Sequence, residues 1–244
     1  MSILGLERVR AVSFDVGGTL LEPWPSVGEV YADTLERVTR ARVDPAKLTE
    51  GFVQAWNQRG AFDYTKDGWR QLVVATFRNA KAPEVDDELF DALYQRFESP
   101  NVWRMFPDAA LALEMLSDLG VPLIIVSNWD ERLRSLLEAM ELVDGFASIL
   151  ISCEVGSQKP APELFRAAVD SIGLAPEEVL HIGDSKTEDL EGARAAGLEA
   201  RLLDRDAGPD GFDSETTISD LAEMVPFDRA PTIAMPRKFH SETE

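Results

Sequence analysis

Cysteine is almost missing from the 244-residue chain: Cys153 stands alone, so no internal disulfide can form and a reducing interior is the expected setting. Cysteine and histidine form no cluster, which removes the soft-metal sites that need thiolate or imidazole ligands. No apolar run approaches the length of about 18 residues that a membrane span needs. The first residues show no basic stretch leading into an apolar core, so no secretory signal is expected either. Basic residues are scarce, with 24 Lys and Arg against 44 Asp and Glu and a formal net charge of -20. That field repels phosphate backbones and anionic membrane surfaces, so nucleic acid and membranes are not expected partners, and the expected location is cytoplasmic.

A hydrophobic content of 45% is ample for a core in one large or two modest domains. The short apolar run from Val9 to Phe14 reads as a buried strand that delivers Asp15 at its carboxyl end. An unpaired buried carboxylate is costly, and a metal ion, a cation or backbone amides are the usual compensation at that edge of an open α/β sheet. Gly17 and Gly18 let the backbone turn tightly and approach a ligand, and Thr19 adds a hydroxyl beside it.

Glu22-Pro23-Trp24-Pro25 reads as a linker without regular structure. From Ser26 to about Phe97 the apolar residues recur at three and four positions, which predicts four helices and no strand. Start signals accompany them: Ser26, Asp44-Pro45, Asp67 and Asp86-Asp87. Phe52, Trp56, Phe62, Trp69 and Phe77 fall at helical spacing and read as core rather than as a pocket lining. Ser99-Pro100 and Phe106-Pro107 bracket a second linker around Trp103.

Strand and helix then alternate, which predicts a Rossmann-like parallel sheet with helices on both faces. Helices are expected over 108–119, 131–140, 162–172 and 188–196, and strands over 121–126, 146–151, 179–182 and 200–203. The expected division is a core of 1–22 and 105–228, an inserted helical cap of 23–104, and a mobile tail of 229–244. Ligands of such sheets bind outside the strands' carboxyl ends, where Asp15, Ser127-Asn128 and Asp184 fall, with Asp189 just beyond and Lys159 in a connection that can reach the same edge. Carboxylates sharing a small cation suit Mg²⁺ and phosphoryl chemistry. Asp130 reads as a helix cap, His181 as a buried strand residue and Cys153 as a small core residue.

These stretches, F-D-V-G-G-T-L-L, V-S-N-W-D, G-S-Q-K-P-A-P-E-L-F and H-I-G-D-S-K-T-E-D-L, resemble in order and spacing the four motifs of the haloacid dehalogenase-like hydrolase superfamily. The resemblance implies a Mg²⁺-dependent enzyme with a four-helix cap, acting on a small phosphorylated metabolite. By resemblance Asp15 is the nucleophile that forms an aspartyl intermediate, Ser127 and Lys159 engage the transferring group, and Asn128, Gly18 and Thr19 bind substrate. Asp15, the Gly17 carbonyl, Asp184 and Asp189 hold the metal.

The superfamily's phosphatases read D-x-D-G-T, and Gly17 occupies the place of the second Asp, which protonates the leaving group. A positioned general acid is worth about 10²–10⁴-fold, so alkyl phosphates are expected to turn over poorly unless Asp130 or another group substitutes. The alternatives are dehalogenase-like chemistry, a phosphonatase-like reaction using a cap lysine such as Lys47, Lys66 or Lys81, or a catalytically weak member that binds a metabolite or a protein.

Overall fold

A computed structural model describes residues 3–206 and 215–224. Along the chain run β1 (Ala11–Phe14), β2 (Leu21–Pro23), α1 (Val27–Thr39), α2 (Pro45–Asn57), α3 (Lys66–Asn79), α4 (Asp87–Arg96), β3 (Trp103–Met105) and α5 (Pro107–Asp118). There follow β4 (Leu123–Ser127), α6 (Arg132–Ala139), β5 (Ser148–Ile151), a short α7 (Ser152–Val155), α8 (Pro162–Ile172) and β6 (Val179–Gly183). After a π-helical turn at Lys186–Glu191 come α9 (Gly192–Ala195), β7 (Glu199–Leu203) and β8 (Thr217–Ile218).

The chain divides into two compact units: the described residues of Met1–Leu21, Met105–Asn128 and Met140–Glu244 form one, and Glu22–Arg104 with Trp129–Ala139 form the other. The first unit is built on a six-stranded sheet in the order β5-β4-β1-β6-β7-β8, with every registered pair parallel. This is the expected Rossmann-like α/β architecture. The four residues of β1 are wholly buried, as a central parallel strand covered on both faces must be. Phe14 lies opposite Ile125 of β4 and Ile182 of β6, so the residues that follow the three strands emerge side by side at one edge. Helices α8 and α9 seal the sheet through Leu164, Phe165, Ala168, Val169 and Ala193, packed against Ala11, Ile124 and Val126.

The second unit contains the four expected helices. Ser26 accepts a hydrogen bond from the Glu29 amide, Asp44 from Ala46 and Asp86 from Leu89, each satisfying a first-turn donor that the helix cannot. The cap of α3 is Thr65 rather than Asp67: its hydroxyl accepts from the Gly68 amide at 3.1 Å, and Asp67 sits inside the first turn. Tyr31, Leu35, Leu48, Phe77, Leu89, Phe90 and Leu93 form the buried centre, each apolar side chain adding about 1.5–3 kcal/mol of transfer free energy. Of the aromatic residues read as core, Phe77 is buried, whereas Phe52, Trp56, Phe62 and Trp69 stay partly exposed in one cluster, where Trp56 stacks on Phe52 and Trp69 and Phe62 meets both tryptophans edge-on.

Several local expectations change. The supposed linker at Glu22–Pro25 contributes a strand, because β2 pairs with β3 and the Trp24 amide donates to the Val102 carbonyl at 2.8 Å. Residues 129–139, expected in the core, group with the helical insert: Arg132 donates to the Tyr94 carbonyl at 3.0 Å and stacks on its ring at 3.6 Å. Cys153 is exposed on α7 rather than buried. The helix expected from Glu188 starts earlier, in a wider, underwound π turn, with the Leu190 amide bonded to the Ser185 carbonyl at 3.2 Å. The tail expected over 229–244 lies outside the described residues.

Candidate active site

The parallel register sets Asp15, Ser127 and Asp184 at neighbouring strand ends. Ser127 Oγ donates to Asp15 Oδ1 at 2.7 Å, and Lys159 Nζ reaches the same oxygen at 2.9 Å. The lysine, only 1% exposed, also contacts Asp189 Oδ1 at 2.6 Å, so one ammonium serves two carboxylates. Two carboxylates on one cation leave a charge imbalance that burial makes expensive.

Asn128 sets the lysine's backbone. Its Oδ1 accepts from the Lys159 amide at 2.7 Å, while its Nδ2 donates to the Lys159 carbonyl and to Glu188 Oε2, both at 2.9 Å. These bonds use both donors of the amide and its oxygen. Asp189 is held as tightly: the Ser185 amide donates to Oδ2 at 2.9 Å, and His181 Nε2 lies 3.1 Å from Oδ1. The π-helical turn carries this aspartate inward. Glycine at 183 is required beside it, since a Cβ there would overlap the Asp189 carboxylate.

Asp184 stands on the open side of the cluster and is exposed. Enclosure of its carboxyl group by protein atoms, together with the negative charges of Asp15 and Asp189, pushes its pKa up to about 7. Burial alone would raise the pKa of Asp189, but Lys159 and His181 hold it well below the carboxylate range. Burial alone would lower that of Lys159, and Asp15 and Asp189 outweigh it, so the ammonium stays charged far into the alkaline range. Ligand oxygens of Asp15, Asp184 and Asp189 lie within 4.8 Å of one another. An all-oxygen donor set of three carboxylates, two of them shared by one lysine, fits a hard divalent ion such as Mg²⁺.

The loop from Val16 to Leu21 is closed on itself: the Leu20 and Leu21 amides donate to the Val16 carbonyl at 2.8 and 2.9 Å, and the Gly18 amide to the Leu21 carbonyl at 2.9 Å. Gly18 has φ +77° and packs on the Asp184 carboxylate so closely that no side chain fits. Thr19 is fully buried, its hydroxyl without a hydrogen-bond partner among the described residues and its carbonyl bonded to Arg205 at 2.9 Å. Asp130 belongs to the other unit, where Arg132 donates to Oδ1 at 2.8 Å and to Oδ2 at 2.6 Å.

Sequence reasoning did not find the roles of Ser13, His181, Glu188 and Arg205. A signal existed for the first two: each is the polar residue in an otherwise apolar strand, and the two are register partners. Glu188 and Arg205 carry no such mark.

The haloacid dehalogenase-like hydrolase family matches residues 9–197. A mouse protein, haloacid dehalogenase-like hydrolase domain-containing protein 3, is 31% identical over 220 residues, covering 85% of each chain. A phosphoglycolate phosphatase of Neisseria gonorrhoeae is 31% identical over 199 residues, covering 79% of this chain and 78% of its own. Among solved structures, a HAD phosphatase from Thermococcus onnurineus aligns with a TM-score of 0.60 and 25% identity over 92% of this chain and 100% of its own.

Proposed function

The chain belongs to the haloacid dehalogenase-like hydrolases and is a hydrolase of phosphatase-like type, and from that premise we propose a Mg²⁺-dependent phosphatase acting on a small phosphorylated metabolite. The observation that carries this reading is the buried Lys159 shared by Asp15 and Asp189, with the Asp184 carboxylate grouped beside them.

In this reading Asp15 attacks phosphorus, forming an aspartyl phosphate as the bond to the leaving oxygen breaks. Water then attacks the same phosphorus, the bond to Asp15 breaks, and inorganic phosphate leaves with the carboxylate regenerated. Lys159 offsets charge on the nucleophile and the transferring group, and Ser127 orients the carboxylate and then donates to a phosphoryl oxygen. Asn128 acts through Lys159, whose backbone it fixes, and Asp189 keeps the ammonium charged and aimed. Asp15, Asp184 and the Gly17 carbonyl would hold Mg²⁺, with Asp189 behind them. When bound, the ion supplies positive charge against the phosphoryl oxygens.

Gly17 leaves the leaving group without an acid, and Asp130, both of whose oxygens face Arg132, is no substitute. The preferred substrates are therefore acyl or aryl phosphates, whose leaving groups depart without a proton. The same gap favours a second reading, dehalogenation, because halide also leaves unprotonated. A panel of acyl, aryl and alkyl phosphates and a 2-haloacid, with and without Mg²⁺, separates them. Acyl or aryl phosphate turnover that needs Mg²⁺ and vanishes in Asp15→Asn is expected; turnover of the haloacid alone would replace the first reading with the second.

A further inference from the structure

We propose that His181 is a positioning residue for Lys159: as the Nε2–H tautomer it donates to Asp189 and so frees the ammonium to lean toward the nucleophile. The proposal deepens the phosphatase reading and rests on it for its kinetic consequence.

His181 is wholly buried in the middle of β6, two residues before the strand ends at Gly183. Its ring touches three groups. Ser13 Oγ, across the register in β1, lies 2.9 Å from Nδ1; Asp189 Oδ1 lies 3.1 Å from Nε2; and Phe165 packs edge-on at 5.0 Å, fixing the ring plane. Among the described residues the Ser13 hydroxyl has one other acceptor, the Leu180 carbonyl, at 3.5 Å. The shorter contact takes the hydroxyl proton, so Nδ1 accepts and the ring proton sits on Nε2, facing the carboxylate. The opposite tautomer would aim a nitrogen lone pair at a carboxylate in a dry site.

The consequence concerns how one ammonium is divided. Asp189 Oδ1 receives both Lys159 Nζ, at 2.6 Å, and the imidazole. A neutral donor there satisfies part of the carboxylate without adding charge. Without it, Lys159 is the one side-chain donor to Asp189 among the described residues, and the lysine is drawn from the 2.9 Å contact with Asp15. Supporting groups of this kind typically contribute about 10–100-fold to activity.

The chain has two histidines, His181 and His240, so a ¹⁵N-edited imidazole spectrum of the full chain is readily assigned, with His240→Gln removing the second set of signals. A protonated Nε2 and an unprotonated Nδ1 are expected; a proton on Nδ1 overturns the proposal whatever the enzyme's substrate proves to be. Amide substitutions then test the direction of the bond, because glutamine places its nitrogen where Nε2 stands and asparagine where Nδ1 stands. On the phosphate panel, His181→Asn and His181→Leu are expected to lose about 10–100-fold in kcat at little-changed KM, and His181→Gln to recover most of it. Equal activity of the Gln and Asn variants, or a Leu variant within about twofold of wild type, overturns the proposal. A wild-type protein inactive on every phosphate refutes the phosphatase reading, while the tautomer remains decided by the spectrum.

Discussion

Replacing Lys159 by methionine keeps the length and most of the volume of the side chain and deletes only its charge and donors. The ammonium lies 2.9 Å from Asp15 and 2.6 Å from Asp189, and at an effective dielectric of about 20 each attraction is roughly 6 kcal/mol before desolvation is counted. Desolvation of the buried ions offsets most of that gross figure. What the substitution exposes is the cost of leaving carboxylates without their cation, and breaking a buried pair in this way costs about 3–5 kcal/mol. For a chain of this size each kcal/mol moves the melting temperature by about 2–4 °C, so Lys159→Met should melt roughly 6–20 °C below wild type in EDTA, followed by circular dichroism. Adding Asp189→Asn removes one orphaned charge and should restore part of the loss. Mg²⁺ should raise the melting temperature of Lys159→Met more than that of wild type, since it brings the missing charge. A metal-free Lys159→Met protein melting within about 2 °C of wild type would refute the account of the cluster as a charge-balanced unit.

Gly17→Asp supplies the absent acid and should raise alkyl phosphate kcat by about 10²-fold or more, and no gain in a steady-state assay would mean that the missing proton is not the defect. Asp184 titrates near pH 7 in the metal-free fold, above its ordinary value, so the stability its protonated form contributes is complete below about pH 4 and is lost as pH rises through 7. Water screening at this exposed residue makes the effect modest. Melting temperature in EDTA should therefore fall from pH 4 to pH 8 more steeply for wild type than for Asp184→Asn, and parallel curves would contradict the assignment. Gly183→Ala drives a methyl group into the Asp189 carboxylate and should lower both stability, by about 1–3 kcal/mol in urea unfolding, and kcat; an alanine variant matching wild type would show that the packing there is slack.

Much was legible because it depends on neighbours in the chain. Apolar residues three and four apart, with Ser26, Asp44 and Asp86 ahead of them, predict α1, α2 and α4 without reference to the rest of the molecule. The short apolar runs that end on Asp15, Ser127 and Gly183-Asp184 predict buried strands delivering polar residues at their ends. Where an element depends on a distant partner, local reading fails. β2 is a strand because β3, about 80 residues later, offers it hydrogen bonds, and its Pro-rich sequence alone reads as a break. Helix α6 joins the helical insert through the contact of Arg132 with Tyr94, which no periodicity encodes.

The site divides in the same way. The residue types of Asp15, Ser127, Lys159, Asp184 and Asp189 and their order are properties of the sequence, and they suffice to suggest oxygen-ligated metal and phosphoryl chemistry. What each side chain does with its hydrogen bonds is decided by the fold. Asn128 spends its amide on Lys159 and Glu188, and Asp130, read as a helix cap, accepts from the Arg132 amide and guanidinium. His181 becomes part of the cluster only because β1 lies between β4 and β6, which sets Ser13 against it and brings the 189 carboxylate to its other nitrogen. A hydrogen bond is settled within a few tenths of an ångström, between residues separated by 112 positions for Ser127 and Asp15 and by 168 for Ser13 and His181. Local sequence determines which groups reach the carboxyl edge of the sheet; only strand order and side-chain packing determine which of them touch.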